Sequence, residues 1–170
     1  MQDPKASMNS NTFIEEWSAY ALEHSQSIPD LLLELEKETN QKVLQPRMLS
    51  SPLQGRFLSL LSELIKPKKI LEIGTFTGYA SLCLAEGLQK EGELHTIDNN
   101  PELVHLQEKY FTKSEYVKNI HTYLGDAIDI IPDIDGLFDL VFIDADKINY
   151  DAYFEPVSYT HLRAHETADN

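Results

Sequence analysis

The sequence predicts an α/β protein, a parallel sheet with helices on both faces, preceded by a stretch of helices alone. Three observations predict it. Apolar strand-like runs at 69–73, 94–97, 119–123 and 138–143 alternate with helical patterns, an order that builds parallel, Rossmann-like sheets. The segment ILEIGTFTGYASLCLA (70–85) joins one such run to a helix through a turn bracketed by Gly74 and Gly78. The last run, FDLVFI, is apolar on both faces, as a central parallel strand should be, and ends in charge at Asp144, Asp146 and Lys147.

The elements follow in order. Residues 1–10 are polar and read as a disordered lead-in, with Met8 as a native start. Phe13, Trp17, Tyr20 and Ala21 stand at helical spacing in 11–25, and Leu31, Leu32 and Leu35 form the stripe of a second helix after Pro29. QPRMLSSPLQGRF (45–57) reads as a loop, because it carries two prolines and a glycine, and a third helix is expected from Phe57 to Ile65. Beyond Pro67, helices are expected at 78–90 and 101–113, a short one near 127–131 and another from about 149. The expected organisation is a helical cap at 11–66, an α/β core at 67–157 and a tail at 158–170.

Composition narrows the function. The 170 residues suit one domain, and no apolar run approaches the ~18 residues of a membrane span. With no signal-peptide pattern at the N-terminus, the expected location is cytoplasmic. A net charge of −14 repels phosphate backbones, so nucleic acid is not an expected partner, nor is a membrane. The single cysteine, Cys83, sits among apolar residues at a helical position and reads as a core thiol.

Four segments carry the chemistry. In Glu72-x-Gly74-x-x-x-Gly78 a strand meets a helix through glycines, which lets a ligand approach the backbone. It is neither G-x-G-x-x-G nor a phosphate loop. Asp98 follows Gly78 by 20 residues at the next strand end, where a carboxylate suits a ribose diol. If Asp98 were only a helix cap, Asn99 or Asn100 could replace it in that task. In GDA, Gly125 ends a strand, and Asp126 and Ala127 stand where a nucleoside site keeps its adenine. Asp144 and Lys147, at the end of the fourth strand, suit a metal carboxylate beside a lysine base.

Together LEIGTFTGY, IDNN, GDA and FIDADKINY resemble the signature segments of the class I S-adenosylmethionine-dependent O-methyltransferases of the catechol and caffeoyl-CoA type, from about Phe13 to Val157. The resemblance implies the class I methyltransferase fold, here without its last strands. It implies that Glu72, Gly74 and Thr75 hold the methionine end of S-adenosylmethionine, with Ser50 nearby, and that Asp98 holds the ribose and Asp126 and Ala127 the adenine. Some relatives have a serine where this chain has Ala80; whether Ser81 substitutes is left open. Asp144 would ligate a divalent cation (Mg or Ca), Asp146 would support the cofactor and Lys147 would face the acceptor. The implied substrate is a small hydroxyl acceptor, a vicinal diphenol, and the first helices would form a homodimer.

The tail SYTHLRAHETADN departs from the pattern. The family places an Asp-Asn metal pair on a later strand behind Gly-Gly; Asp169 and Asn170 stand at nearly that distance, without the strand to carry them. The tail is expected to be non-native or irregular, to leave 138–143 at one border of a four-stranded sheet, and to make the isolated chain poorly soluble and weakly active. His161 and His165, four apart, lack a third ligand for a metal. Two rival readings are a nicotinamide-dependent oxidoreductase, which would leave 144–147 unexplained, and a methyltransferase-like fragment that binds cofactor or a partner without catalysis.

Overall fold

A computed structural model of the chain describes residues 10–145. Asp146, Lys147, the helix expected from about 149, both tail histidines and the whole of 158–170 lie outside the described residues. The elements run α1 (Ser10–Glu23), α2 (Asp30–Lys42), a 3₁₀ turn (Pro46–Met48), α3 (Pro52–Ile65), β1 (Lys69–Ile73), α4 (Tyr79–Ala85) and β2 (Glu93–Asp98). A 3₁₀ turn (Pro101–Leu103) then leads into α5 (Val104–Lys113), followed by β3 (Ile120–Leu124), α6 (Ala127–Ile130) with its 3₁₀ extension (Ile131–Asp133), and β4 (Leu140–Ile143).

The four strands are parallel in the order β3-β2-β1-β4, with Glu72 level with Thr96 on one side and Phe142 on the other. Among the described residues β4 is a border strand; residues 158–170, on which the expectation of an open border turns, lie outside them. The chain winds outward from β1 to β3, then returns to the far side of β1. The order therefore reverses between β1 and β4, and a crevice opens there beyond the strands' carboxyl ends.

Alternation along the strands divides the core. Ile70 and Leu94 face a layer built by Leu32 and Leu35 of α2, Leu58 of α3, the buried α4 and Leu106, Tyr110 and Phe111 of α5. Leu71, Ile73 and Ile97 face Ala127, Ile131, Ile134 and Phe138 on the other side. Helices thus cover both faces, the second more thinly.

Two helix boundaries differ from expectation. Helix α3 begins at Pro52, not Phe57, since Ser51 caps it by accepting the Gln54 N–H (3.2 Å) and Pro52 needs no N–H in the first turn. Gly55, which argued for a loop, is a packing site: a Cβ there would lie 2.6 Å from the Tyr79 ring. Helix α4 stops at Ala85, short of the expected residue 90, and Gly87 just beyond it passes against the α3 backbone, where a Cβ would come 2.1 Å from the Ser62 carbonyl carbon. Behind that crossing, Arg56 forks onto Glu86 at 2.8 and 3.0 Å, and Ser59 donates to the same carboxylate. On α1, Trp17 and Tyr20 stand at helical spacing as expected and are exposed. Cys83, by contrast, is a core thiol as expected, buried and pushed up to about 12.

Candidate functional site

The crevice is a cleft of about 1120 Å³ lined by the β1–α4 turn, the ends of β2, β3 and β4, and the segment from Gln41 to Ser50. Of the residues singled out in the sequence, Ser50, Gly74, Thr75, Ala80, Asp98, Asp126, Ala127 and Asp144 line it. Glu72 and Gly78 lie behind its wall.

The turn needs its glycines. Gly74 has φ +103°, donates its N–H to the Ile97 carbonyl at 2.9 Å, and would bring a Cβ to 2.5 Å from the Asp144 carbonyl oxygen. Gly78, at φ +94°, is covered by the Phe111 ring. Between them Phe76 has φ +49°, a left-handed conformation unfavourable for a bulky residue. Neighbours hold it there: its N–H donates to Asp98 Oδ2 at 2.6 Å, and Gln107 Nε2 donates to its carbonyl at 2.7 Å. From α2, Thr39 donates to Thr77 at 3.1 Å, tying the helical cap to the turn.

Asp98 therefore stands at the end of β2 with a fixed orientation, since its other oxygen accepts the Asn100 N–H at 2.8 Å. Asn100 caps the following turn by accepting the Glu102 N–H, so Asp98 is not needed as that cap. Gly125, at the end of β3, donates to the Asp98 carbonyl at 2.9 Å. Next to it, exposed Asp126 caps α6 through the Ile128 N–H (3.1 Å), and Ala127 is buried.

Glu72 is wholly buried. Its Oε2 accepts from Ser81 and, at 2.5 Å, from Thr96, while Oε1 has no partner. Burial pushes the carboxyl up to about 7; the Ser81 and Thr96 bonds pull it down, and the charges of Asp144 and Asp98 push it further up. Ser81 thus spends its hydroxyl on Glu72 and does not stand in for a serine at 80.

Asp144 lines the cleft at the end of β4 and is exposed. Among the described residues no group of three or more His, Cys, Asp or Glu side chains is placed to hold a metal ion. Sequence reasoning missed Thr96, since a threonine inside an apolar strand carries no signal until the β1–β2 register places it beside Glu72. It also missed the apolar wall of Val43, Leu44, Met48 and Leu49, which the sequence presents only as the end of a helix and a loop.

A cleft at the switch point of a parallel sheet, with an oriented carboxylate at the second strand end and glycines under the first turn, defines an open α/β protein of the kind that takes its ligands beyond the strands' carboxyl ends. The chain belongs to the O-methyltransferase family, whose model matches residues 22–161. It is 39% identical over 114 residues to a catechol O-methyltransferase of Niastella koreensis, an alignment covering 65% of this chain and 52% of that one. It is 33% identical over 130 residues to a caffeoyl-CoA O-methyltransferase of Stellaria longipes, covering 73% and 54%. The chain thus spans little more than half the length of these relatives. Among solved structures, a Podospora anserina methyltransferase bound to SAH superposes with a TM-score of 0.85 at 30% identity, over 96% of this chain and 70% of that one. A Bacillus cereus O-methyltransferase in complex with SAH gives 0.79 at 30% identity, over 87% and 70%. No described helix is long and apolar enough to cross a membrane.

Proposed function

We propose that this chain is the cofactor-binding part of an enzyme that moves a methyl group from S-adenosylmethionine to a hydroxyl of a small acceptor, a vicinal diphenol in the preferred form. The observation that carries the reading is Asp98, oriented by the Phe76 and Asn100 N–H groups at the rim of a cleft floored by Gly74 and Thr75. Structural relatives solved with SAM or SAH support it.

The residues fit such a cofactor. Asp98 would accept both ribose hydroxyls, and Ala127 would leave room for the adenine, with Asp126 beside it. Gly74 presents bare backbone to the methionyl end, and Ser50, Thr75 and Ala80 complete that end of the cleft. At about 1120 Å³ the cleft exceeds the usual span for one small ligand, which leaves room for an acceptor against Val43, Leu44, Met48 and Leu49. The bound cofactor supplies an electrophilic sulfonium methyl. The protein's task is to hold an acceptor oxygen in line with it, at near-attack distance and with water excluded.

The proposal extends to a divalent cation at Asp144, which when bound would lower the acceptor's pKa. Asp146 and Lys147 follow it in sequence, with Lys147 as the base. The exposed apolar residues Trp17 and Tyr20 of α1 and Phe57, Leu60 and Leu64 of α3 suit a homodimer contact. Calorimetry against S-adenosylmethionine, S-adenosylhomocysteine and NAD tests the reading. Binding of the first two, weakened at least tenfold by Asp98→Ala, is expected; preference for NAD, or full-strength binding by that variant, refutes it.

A further inference from the structure

Glu72 is the one acid among the buried described residues, yet it does not line the cleft. A chain of hydroxyls connects the two. Thr96 gives its only proton to Glu72 Oε2, so its oxygen is left to accept from Thr75 Oγ1, 2.6 Å away, and Thr75 lines the cleft. With both its bonding hydroxyls on Oε2, Glu72 keeps Oε1 unpartnered, an arrangement that leaves the carboxyl poorly compensated when ionised.

We propose that Glu72 acts on the cofactor at one remove, as a proton-linked positioning residue that sets the polarity of Thr75 at the cleft floor. Ionised, Glu72 takes the Thr96 proton, Thr96 takes the Thr75 proton, and Thr75 presents lone pairs to the ligand. Protonated on Oε2, Glu72 donates to Thr96, Thr96 donates to Thr75, and Thr75 presents a proton instead. No covalent bond is made or broken beyond the carboxyl's own. The first state favours a cationic ligand and the second opposes one.

The surroundings agree with this switch. The charged groups that act most on Glu72 are Asp144 beyond β4 and Asp98 at the end of β2, both acidic, while Ser81 of α4 and Thr96 of β2 offer only hydroxyls. Cys83 of α4 is a neutral thiol. A buried carboxyl so placed gains either from a proton or from a cation in the cleft. Its value of about 7 puts the exchange at neutral pH.

The inference rests on the proposed binding of S-adenosylmethionine, and calorimetry of wild type and Glu72→Gln with chelator present, at pH 6, 7 and 8, tests both. S-adenosylmethionine affinity of the wild type is expected to rise about tenfold from pH 6 to 8 if the ligand requires the ionised form. S-adenosylhomocysteine, which lacks the sulfonium charge, is expected to gain less, and Glu72→Gln is expected to abolish the difference in slope. Thr75→Val, which keeps the β-branched shape and breaks the chain, is expected to flatten the slope as well. Equal slopes for the two ligands, or an undiminished slope in either variant, overturn the inference while leaving the cofactor reading intact. Absence of binding by both ligands at every pH overturns the cofactor reading and this inference with it.

Discussion

Replacing Glu72 by glutamine should stabilise the folded chain at pH 8. The carboxyl rises from its ordinary 4.5 to about 7 on folding, and burial is the largest cause. Between those values the folded protein holds a proton that the unfolded chain has lost. Stability therefore falls as pH rises through the window, with a limiting slope of about 1.4 kcal/mol per pH unit, and stays low above it. The shift corresponds to about 3 kcal/mol at pH 8. The substituted side chain keeps an acceptor for Ser81 and Thr96 but puts an amide N–H₂ where Oε1 has no partner, which costs about 1–3 kcal/mol. A net gain of about 1 kcal/mol is expected at pH 8, turning into a loss at pH 5. Urea denaturation of both proteins from pH 5 to 8 measures the difference. Taking the difference cancels the other titrating groups, notably His95, whose burial lowers its pKa and which destabilises the fold as pH drops below 6.5. A difference that does not change with pH refutes the reasoning.

Three further outcomes are expected. Gly74→Ala forces an L residue to φ +103° against the Asp144 carbonyl; cofactor affinity measured by calorimetry should drop at least tenfold, and wild-type affinity would show that the turn yields freely. Arg56→Met strands Glu86 at the α3–α4 contact and should cost about 3 kcal/mol in urea denaturation, most of it restored by Glu86→Leu in the same chain; an unchanged midpoint argues against a buried pair. Lys109, Lys42 and Tyr110 hold Glu38 at about 2, so its contribution is complete above pH 4.5 and is lost as pH falls toward 2. An NMR titration should show the Glu38 carboxyl moving up in Lys109→Met, and titration near 4.5 in the wild type contradicts the assignment.

The order of strands and helices, the place of the glycine turn and the place of Asp98 at a strand end were all legible in the residues alone. They depend on local periodicity, on backbone angles that glycine alone adopts freely, and on spacing along one chain. The start of α3 was legible too, in Ser51-Pro52, but Gly55 outweighed it until the Tyr79 ring showed why a glycine belongs inside that helix. Folding was needed to show that Ser81 faces Glu72 and not the cleft, that Thr96 links Glu72 to Thr75, and that residues 41–50 wall the cleft. Partners across a sheet are chosen by register, and a one-residue slip would turn Glu72 and Thr96 to opposite faces. The same burial that hides Glu72 from the cleft raises its pKa, and burial is a property of everything packed around a residue, which no local stretch of sequence contains.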